Sequence, residues 1–399
     1  MSKGCNLISL GEIDRYFVLM FIGPILLYIL KCLENSSKFF NDKNKENRHP
    51  IILKIIYSFG LSLSFVLFIF FKIYNKRKNK NQLPLTNTVK NQRIQITNKI
   101  EKFLWLLLVS AIDFIANIIN IIIDTETYLF ITWTSVILSL VLFSYLIFRA
   151  KIYKHHYFSI IIMIVLSLAA DLASKKYSAE KIKEDYLQMI LIIFSEMLLS
   201  LAYVLYKYMM VKKYIQSYEI MFYEGLIESV LSIITIIIAT KNGDLDDFYA
   251  YYNYLDSKEI TIFIFLIIFQ FAYNLVKFIV IQRYTQYHHL LLSTLYMLVT
   301  LLIGFDSDKI LFSIVSLILI IICLTMILIF LEIIELNCFG LSNMTKNNIR
   351  KRAILDSELA GNEGSISLRI DFQDYVFDMN GRKLSEMIEM DSKLCNDDD

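Results

Sequence analysis

Charge is scarce in this sequence, and its scarcity excludes some classes of function. Only 20% of the 399 residues are charged, and the formal net charge is +2. A general affinity for nucleic acid needs a basic surface, so no nucleic-acid partner is expected. The sequence also has only 3 prolines and 11 glycines, and Pro24 is the one proline inside an apolar run.

Motifs of catalysis and of metal binding are missing too. We find no H-E-x-x-H sequence, no nucleophile elbow and no P-loop. The 5 cysteines have the spacing of neither a zinc site nor a disulfide framework. They are Cys5, Cys32, Cys323, Cys338 and Cys395. The sequence therefore predicts that the chain is not an enzyme and that it has no cofactor and no metal site.

Long apolar runs are what the sequence has in abundance. Hydrophobic residues make up 56% of the chain, and a helix that crosses a hydrocarbon core needs about 20 of them in succession. Runs this continuous do not suit the alternating strands of a membrane barrel. The sequence predicts an all-α polytopic membrane protein with ten transmembrane helices. The predicted spans are Tyr16–Leu33, Ile51–Ile73, Phe103–Ile123, Tyr128–Phe148, Tyr157–Ala173, Leu187–Met209, Ile220–Thr240, Ile260–Ile281, His289–Phe305 and Ile310–Ile334.

The distribution of basic residues predicts an orientation. Lysine and arginine collect in cytoplasmic loops, and they are more numerous on the face that holds both termini. We expect an N-terminal cytoplasmic tail (1–15), a first five-helix repeat (16–173) with a cytoplasmic linker (75–102), a second five-helix repeat (187–335) and a largely disordered cytoplasmic tail (337–399). An endomembrane, such as that of the Golgi, the ER or a vesicle, is favoured over the plasma membrane.

Two of the spans share one polar spacing, at positions i, i+4 and i+7. The residues are Asp113, Asn117 and Asn120 in the third span and Gln270, Asn274 and Lys277 in the eighth. This correspondence predicts that spans six to ten repeat spans one to five. Because five is an odd number, the second copy would be inverted across the membrane.

Each of these polar sets lies on one helix face. A charge at membrane depth costs about 2.5–3.5 kcal/mol, so it is expected to face protein or a water-filled cavity. The same argument applies to polar and charged residues of spans six and seven. The predicted substrate-binding residues are Asp113, Asn117, Asn120, Glu196, Tyr203, Glu224, Glu228, Gln270, Asn274 and Lys277.

Structural interpretations of these residues stay open. Buried ion pairs can serve packing alone, and Asn117 and Asn120 can simply bond to neighbouring helices. Near the predicted helix ends we expect Lys207 and Glu219 to extend toward water. The two histidine pairs, 155–156 and 288–289, are expected to be solvated.

Three further segments are distinctive. They are Ser144-Tyr145-Leu146-Ile147-Phe148-Arg149 with the following Tyr153-Lys154-His155-His156-Tyr157-Phe158, then Phe222-Tyr223-Glu224-Gly225-Leu226, then Leu336-Asn337-Cys338-Phe339-Gly340-Leu341. Together with ten helices and tight hairpins, they resemble the drug/metabolite transporter superfamily, in particular its EamA-like and nucleotide-sugar-transporter-like eukaryotic branch. The resemblance implies alternating access to a central cavity. It places Asp113, Asn117, Gln270, Asn274, Lys277 and Glu224 in that cavity.

The resulting hypothesis is a secondary transporter for a small polar organic solute. An anionic solute such as a nucleotide conjugate is included, because Lys277 would bind an anionic group while amide side chains bind hydroxyls. The alternative is a non-transporting structural or receptor-like membrane protein with the same fold. The expected partners are the solute and the lipid bilayer, and a homodimer stays open.

Overall fold

A computed structural model describes ten segments of the chain. They are residues 8–10, 18–37, 50–80, 99–122, 129–150, 152–177, 186–213, 215–241, 257–303 and 310–336, with single positions 151 and 214 outside them. The described residues are almost entirely helical, which confirms the all-α prediction. Five of the helices are long and apolar enough to cross a membrane by length and composition, and the other apolar helical stretches found in the described residues are 10–17 residues long.

Eleven helices follow one another in the described residues. They are α1 (Leu19–Ser36), α2 (Pro50–Ser62), α3 (Ser64–Lys80), α4 (Lys99–Ile122), α5 (Leu129–Phe148), α6 (Lys154–Tyr177), α7 (Tyr186–Lys212), α8 (Ser217–Lys241), α9 (Ser257–Arg283), α10 (His288–Ile303) and α11 (Ile310–Phe330). Two short strands, β1 (Ile8–Leu10) and β2 (Ile334–Leu336), pair antiparallel.

The predicted second span is divided into α2 and α3 at Leu63. The hydroxyls of Ser58 and Ser62 donate to the carbonyl oxygens four residues earlier, a bonding pattern that bends helices. Gly225 of α8 lies against the break, where an added Cβ would stand 2.5 Å from the backbone nitrogen of Ser62. The absent side chain thus lets the two backbones approach closely.

Three short connections between helices lie together in the structure. One end of the bundle, here named the short-loop end, carries the connections 149–153, 213–216 and 284–287. There Gln286 donates to the Ser144 hydroxyl at 2.7 Å, tying the end of α5 to the connection between α9 and α10. At the opposite end, Ser37 donates to Glu259 at 2.7 Å, where α1 ends and α9 begins.

Helix contacts follow a regular scheme. Helix α1 packs on α9 and α10, just as α7 packs on α4 and α5. In the same way α2 packs on α9 and α8 packs on α4, while α5 contacts α6 and α10 contacts α11. Two further pairs, α2 with α8 and α6 with α11, join the two halves of the chain directly.

The outer surface of the bundle is apolar. Large hydrophobic side chains are exposed on several helices, among them Leu108 (50%), Leu168 (61%) and Ile238 (56%). Scattered apolar residues are normal on a soluble protein, but a surface so rich in them marks contact with another apolar phase. The exposed residues and the five apolar helices fit an integral membrane protein.

The two ends of the chain depart from the predicted boundaries. The last helix ends at Phe330 rather than near Ile334, and β2 then pairs with β1 of the predicted N-terminal tail. Helix α3 continues to Lys80 and α4 begins at Lys99, so both ends of the predicted linker are helical. Residues 81–98 and the predicted tail 337–399 lie outside the described residues.

Candidate functional site

Five charged side chains meet in the interior of the bundle. They are Lys54 of α2, Asp113 of α4, Glu224 and Glu228 of α8, and Lys277 of α9, and none is more than 7% exposed. Burying a charge is costly unless it is paired. We refer to these five residues as the central charge cluster.

A close ion pair joins α2 to α8 on one side of the cluster. The Lys54 ammonium lies 2.9 Å from Glu228 Oε2. The hydroxyl oxygen of Ser58, one helical turn after Lys54, lies 3.4 Å from the same carboxyl oxygen, while its hydrogen bonds to the Lys54 carbonyl at 2.8 Å. Glu228 Oε2 therefore has the Lys54 ammonium as its close donor, while Oε1 has no donor among the described residues.

Three carboxyl groups converge beside this pair. Oxygen atoms of Asp113, Glu224 and Glu228 all lie within 4.8 Å of one another. Asn117 donates to Asp113 Oδ2 at 2.7 Å, whereas Asp113 Oδ1 and both oxygens of Glu224 have no hydrogen-bond donor in the described part of the chain. The central charge cluster thus holds more acids than bases, and several buried acceptors lack a donor.

Lys277 occupies the other side of the cluster. Its Nζ lies 5.5 Å from the ring centre of Tyr203 and 5.1 Å from that of Phe278, within cation–π range. Across the described residues no carboxylate lies within 4.0 Å of Nζ, and Glu224 is the acid it influences. The ring of His289 lies 4.3 Å from that of Tyr203, so α7, α9 and α10 enclose the ammonium group.

The predicted site residues do not all belong to the central charge cluster. Asn120 instead accepts a short hydrogen bond from Ser195 and donates to Glu196 at 3.1 Å, which links α4 to α7. On α9, Asn274 is buried and donates to the backbone oxygen of Gln270 at 3.0 Å. The Gln270 side chain packs where a Cβ on Gly60 would stand.

Both predicted polar faces therefore point into the bundle. Asp113, Asn274 and Lys277 are buried, and Asn117, Asn120 and Gln270 are partly buried. Asp113 and Lys277 both interact with Glu224, so the polar faces of α4 and α9 meet at α8.

Three residues at the site were not predicted to be site residues from the sequence: Lys54, Tyr206 and His289. Lys54 stands close to the start of its apolar run, where a lysine is ordinarily taken to reach water. The rule that treats an ionisable residue inside a span as a functional candidate would have found it. Tyr206 is wholly buried and interacts with Glu224, but one tyrosine among 25 gives no signal in the sequence.

The prediction that Lys207 reaches water is wrong. Lys207 is 4% exposed, and its ammonium donates to the carbonyl oxygens of Ile281, Gln282 and Tyr284 at 2.9, 3.1 and 2.6 Å. These carbonyls belong to the end of α9, which attracts positive charge. Glu219 lies in the first turn of α8, is partly buried and accepts a hydrogen bond from Lys102 at 2.5 Å.

The prediction of solvated histidines is also wrong. His155, His156, His288 and His289 are all buried, because short connections fold the starts of α6 and α10 into the short-loop end. His155 Nε2 lies 3.0 Å from Glu332 Oε1. The backbone of Glu332 has a φ of 59°, which turns the chain back from α11 toward β2.

Salt bridges close the same end of the bundle at its edge. Lys213, just after α7, donates to Glu101 of α4 at 2.6 Å, and this hydrogen bond raises the pKa of Lys213. With the Lys102–Glu219 pair, it fastens the start of α4 to the end of α7 and the start of α8.

Two groups of side chains have the composition of metal ligands, although no motif in the sequence predicts a metal site. They are Asp113 with Glu224 and Glu228, and His155 with His156 and Glu332. In the second group His156 Nδ1 already accepts a hydrogen bond from the Tyr153 backbone at 3.0 Å. In the first, two ammonium groups stand beside the acids, which disfavours a further multivalent cation.

No model of a known protein family matches this chain, and no curated protein sequence matches it either.

Proposed function

We propose that this chain is a membrane-embedded secondary transporter that moves a small polar organic solute by alternating access. The central charge cluster carries the proposal. A group that only fixed packing would be expected to pair each acid with a base, whereas Glu224 and Lys277 stay without a close ionic partner among the described residues. Ionisable residues inside membrane helices are functional candidates by default.

The scheme of helix contacts supports a ten-span architecture with two inverted halves. If α1 to α6 form the first half and α7 to α11 the second, with α2 and α3 as one broken span, each half crosses five times. The contacts of α1 with α9 and α10 then correspond to those of α7 with α4 and α5. The pairs α2–α8 and α6–α11 lie where a pseudo-two-fold axis would pass.

Lys277 is the proposed contact for the solute. Its ammonium can bind an anionic group, such as that of a nucleotide conjugate, while Asn274 and Tyr203 offer polar contacts beside it. The uncompensated Glu224 carboxylate stands nearby, which favours a solute that also carries hydroxyl or amino donors. Binding a solute would supply the partners that both side chains lack.

The contacts at the short-loop end support alternating access. A transporter that exposes its site to one side at a time must be closed at the other end. Here Lys207 caps α9, Gln286 bonds to Ser144, and His155 meets Glu332. We assign this end to the cytoplasm, together with both termini, and favour an endomembrane location on the basis of the sequence.

An uptake screen tests the function. The purified full-length protein is reconstituted in vesicles and offered labelled nucleotide sugars, other organic anions, amino acids and amines. We expect uptake of one of these classes by the wild type and loss of that uptake in Lys277→Met. The matched control is Lys258→Met, an exposed lysine at the start of the same helix, which should transport normally.

The result also discriminates the alternative, a non-transporting structural or receptor-like protein. The Lys54–Glu228 pair would suit that alternative, since it joins two helices closely. If no solute class is taken up by a well-folded wild type, or if Lys277→Met transports as the wild type does, the transport proposal fails.

A further inference from the structure

The acidic side of the central charge cluster is not satisfied by the groups around it. Three carboxyl groups face two ammonium groups, those of Lys54 and Lys277. If all five were charged, the buried cluster would keep one uncompensated negative charge. In a medium without water such a charge is strongly disfavoured, so the cluster is expected to take up one positive charge.

The arrangement of Asp113 and Glu228 indicates where that charge lies. Their carboxyl groups are within hydrogen-bonding reach of each other. Two ionised carboxylates are both acceptors and repel at this range, whereas one proton between them makes a hydrogen bond. Asp113 Oδ1 and Glu228 Oε1 each lack a hydrogen-bond donor among the described residues, as do both oxygens of the neighbouring Glu224.

A second observation outside the acids points the same way. The hydroxyl of Tyr206 on α7 is fully buried and interacts with Glu224, yet it makes no hydrogen bond of ordinary geometry with any described residue. Leaving a buried hydroxyl without a hydrogen bond is costly. Tyr206 also interacts with Asp113 and Glu228, and a carboxyl group there that gains and loses a proton would alternately offer the hydroxyl a donor and an acceptor.

We propose that the acids of the central charge cluster bind one proton, held between Asp113 and Glu228, and that this proton is taken up and released during the transport cycle. The titratable and charged groups that face this position come from five helices. They are Lys54 on α2, Asp113 on α4, Tyr203 and Tyr206 on α7, Glu224 and Glu228 on α8, and Tyr273 and Lys277 on α9. The coupling part of the proposal depends on the proposed transport function, whereas the proton site does not.

A proton supplies the one positive charge that the cluster needs, whereas a divalent metal ion supplies more. A divalent ion would leave the cluster with a net positive charge. Sodium carries the same single charge as a proton, and its effect on the unfolding temperature at constant pH distinguishes the two. A proton needs only the two carboxyl oxygens that already face each other.

Infrared spectroscopy of the purified full-length protein tests the site without any solute. A buried protonated carboxyl group gives a carbonyl stretching band at a pH where exposed carboxyls are ionised. We expect this band in the wild type and expect it to be lost in Asp113→Asn, whose amide can donate to Glu228 in place of the proton. Glu101→Gln, which changes a partly exposed acid of the same helix α4, should keep the band.

The fold of the variants is checked by thermal unfolding. Asp113→Asn mimics the protonated acid, so its unfolding temperature should change less with pH than that of the wild type. The wild type should lose stability as the pH rises and the proton leaves the buried pair. A band that is missing from the wild type, a band that survives in Asp113→Asn, or stabilisation by sodium at constant pH would overturn the proton site.

Uptake under an imposed pH gradient tests the coupling. With one proton per neutral solute, a gradient of one pH unit sustains about tenfold accumulation. We expect the wild type to accumulate solute under the gradient and Asp113→Asn only to equilibrate it. Accumulation by Asp113→Asn, or wild-type uptake that ignores the gradient, would refute the coupling. If no solute is taken up but the infrared band of the protonated carboxyl group is present, the proposed transport function is refuted and the proton site is not.

Discussion

The ammonium of Lys207 lies 2.6 Å from the carbonyl oxygen of Tyr284, and it also bonds to two further carbonyls at the end of α9. A lysine of α7 thereby completes the hydrogen bonding of another helix, which the last turn cannot do by itself. The contact holds α7, α9 and the connection to α10 together at the short-loop end. The contribution of this contact to the stability of the fold can be measured.

We expect Lys207→Met to destabilise the protein by at least about 2 kcal/mol, because buried carbonyl groups would lose a charged donor. Thermal unfolding of the detergent-solubilised protein measures the loss. Lys258→Met, an exposed lysine of α9, is the control and should unfold like the wild type. An unchanged unfolding temperature in Lys207→Met would show that the cap contributes nothing.

Gly225→Ala should destabilise the contact of α8 with the break between α2 and α3. The new Cβ would meet backbone atoms, 2.5 Å from the Ser62 nitrogen and 2.8 Å from the Leu61 carbonyl carbon. Overpacking of this kind costs about 1–3 kcal/mol. Gly23→Ala is a matched control, because its Cβ would meet side-chain atoms instead of backbone, namely Leu292 Cδ2 at 2.5 Å and Val276 Cγ1 at 3.4 Å, and side chains adjust at lower cost than backbone. Equal losses in the two variants would contradict the argument.

Lys54→Met should be among the most damaging single changes, since it leaves the buried Glu228 carboxylate without its base. Breaking one side of a buried pair costs about 3–5 kcal/mol. The double variant Lys54→Met/Glu228→Gln removes both charges and should recover much of the loss. A double-mutant cycle on unfolding free energies measures this, and purely additive losses would show that the two groups do not interact.

The pairing of β1 with β2 predicts that the N-terminal segment lies beside the end of α11. Ser9 stands opposite Glu335 in the register, so cysteines introduced at these two positions should form a disulfide under mild oxidation. The native cysteines are first replaced. Cysteines at Ser9 and Ile334 are the control, because adjacent residues of a strand face opposite sides. Cross-linking of the control pair alone would show that the register is shifted.

Much of the helical architecture could be predicted because hydropathy is a local property. An apolar run of about 20 residues is a helix in a membrane whatever surrounds it. Helices therefore occupy each of the predicted spans in the described residues. The finer boundaries could not be predicted. The break at Leu63 packs against Gly225, and the turn after Phe330 leads into the pairing of β2 with β1, so both features involve residues far away in the chain.

The polar positions that face inward could also be predicted from the sequence, since helical spacing determines which residues share a face. Asp113, Glu224, Glu228 and Lys277 are buried together, as a polar interior requires. The residues whose burial was predicted wrongly lie near helix ends. Lys207 and the histidine pairs have the local sequence of solvated positions, and only the folding of the short-loop end buries them.

The sequence by itself determined that the chain is helical, that its surface is apolar and that charges must be sheltered inside, because each follows from the transfer energy of one helix at a time. The tertiary structure decided which charges meet. Helical periodicity orients a side chain toward the interior but does not choose the helix it faces there. The pairing of Lys54 with Glu228, the contact of Asp113 with the same carboxyl group and the separate position of Lys277 exist only once α2, α4, α8 and α9 are packed together.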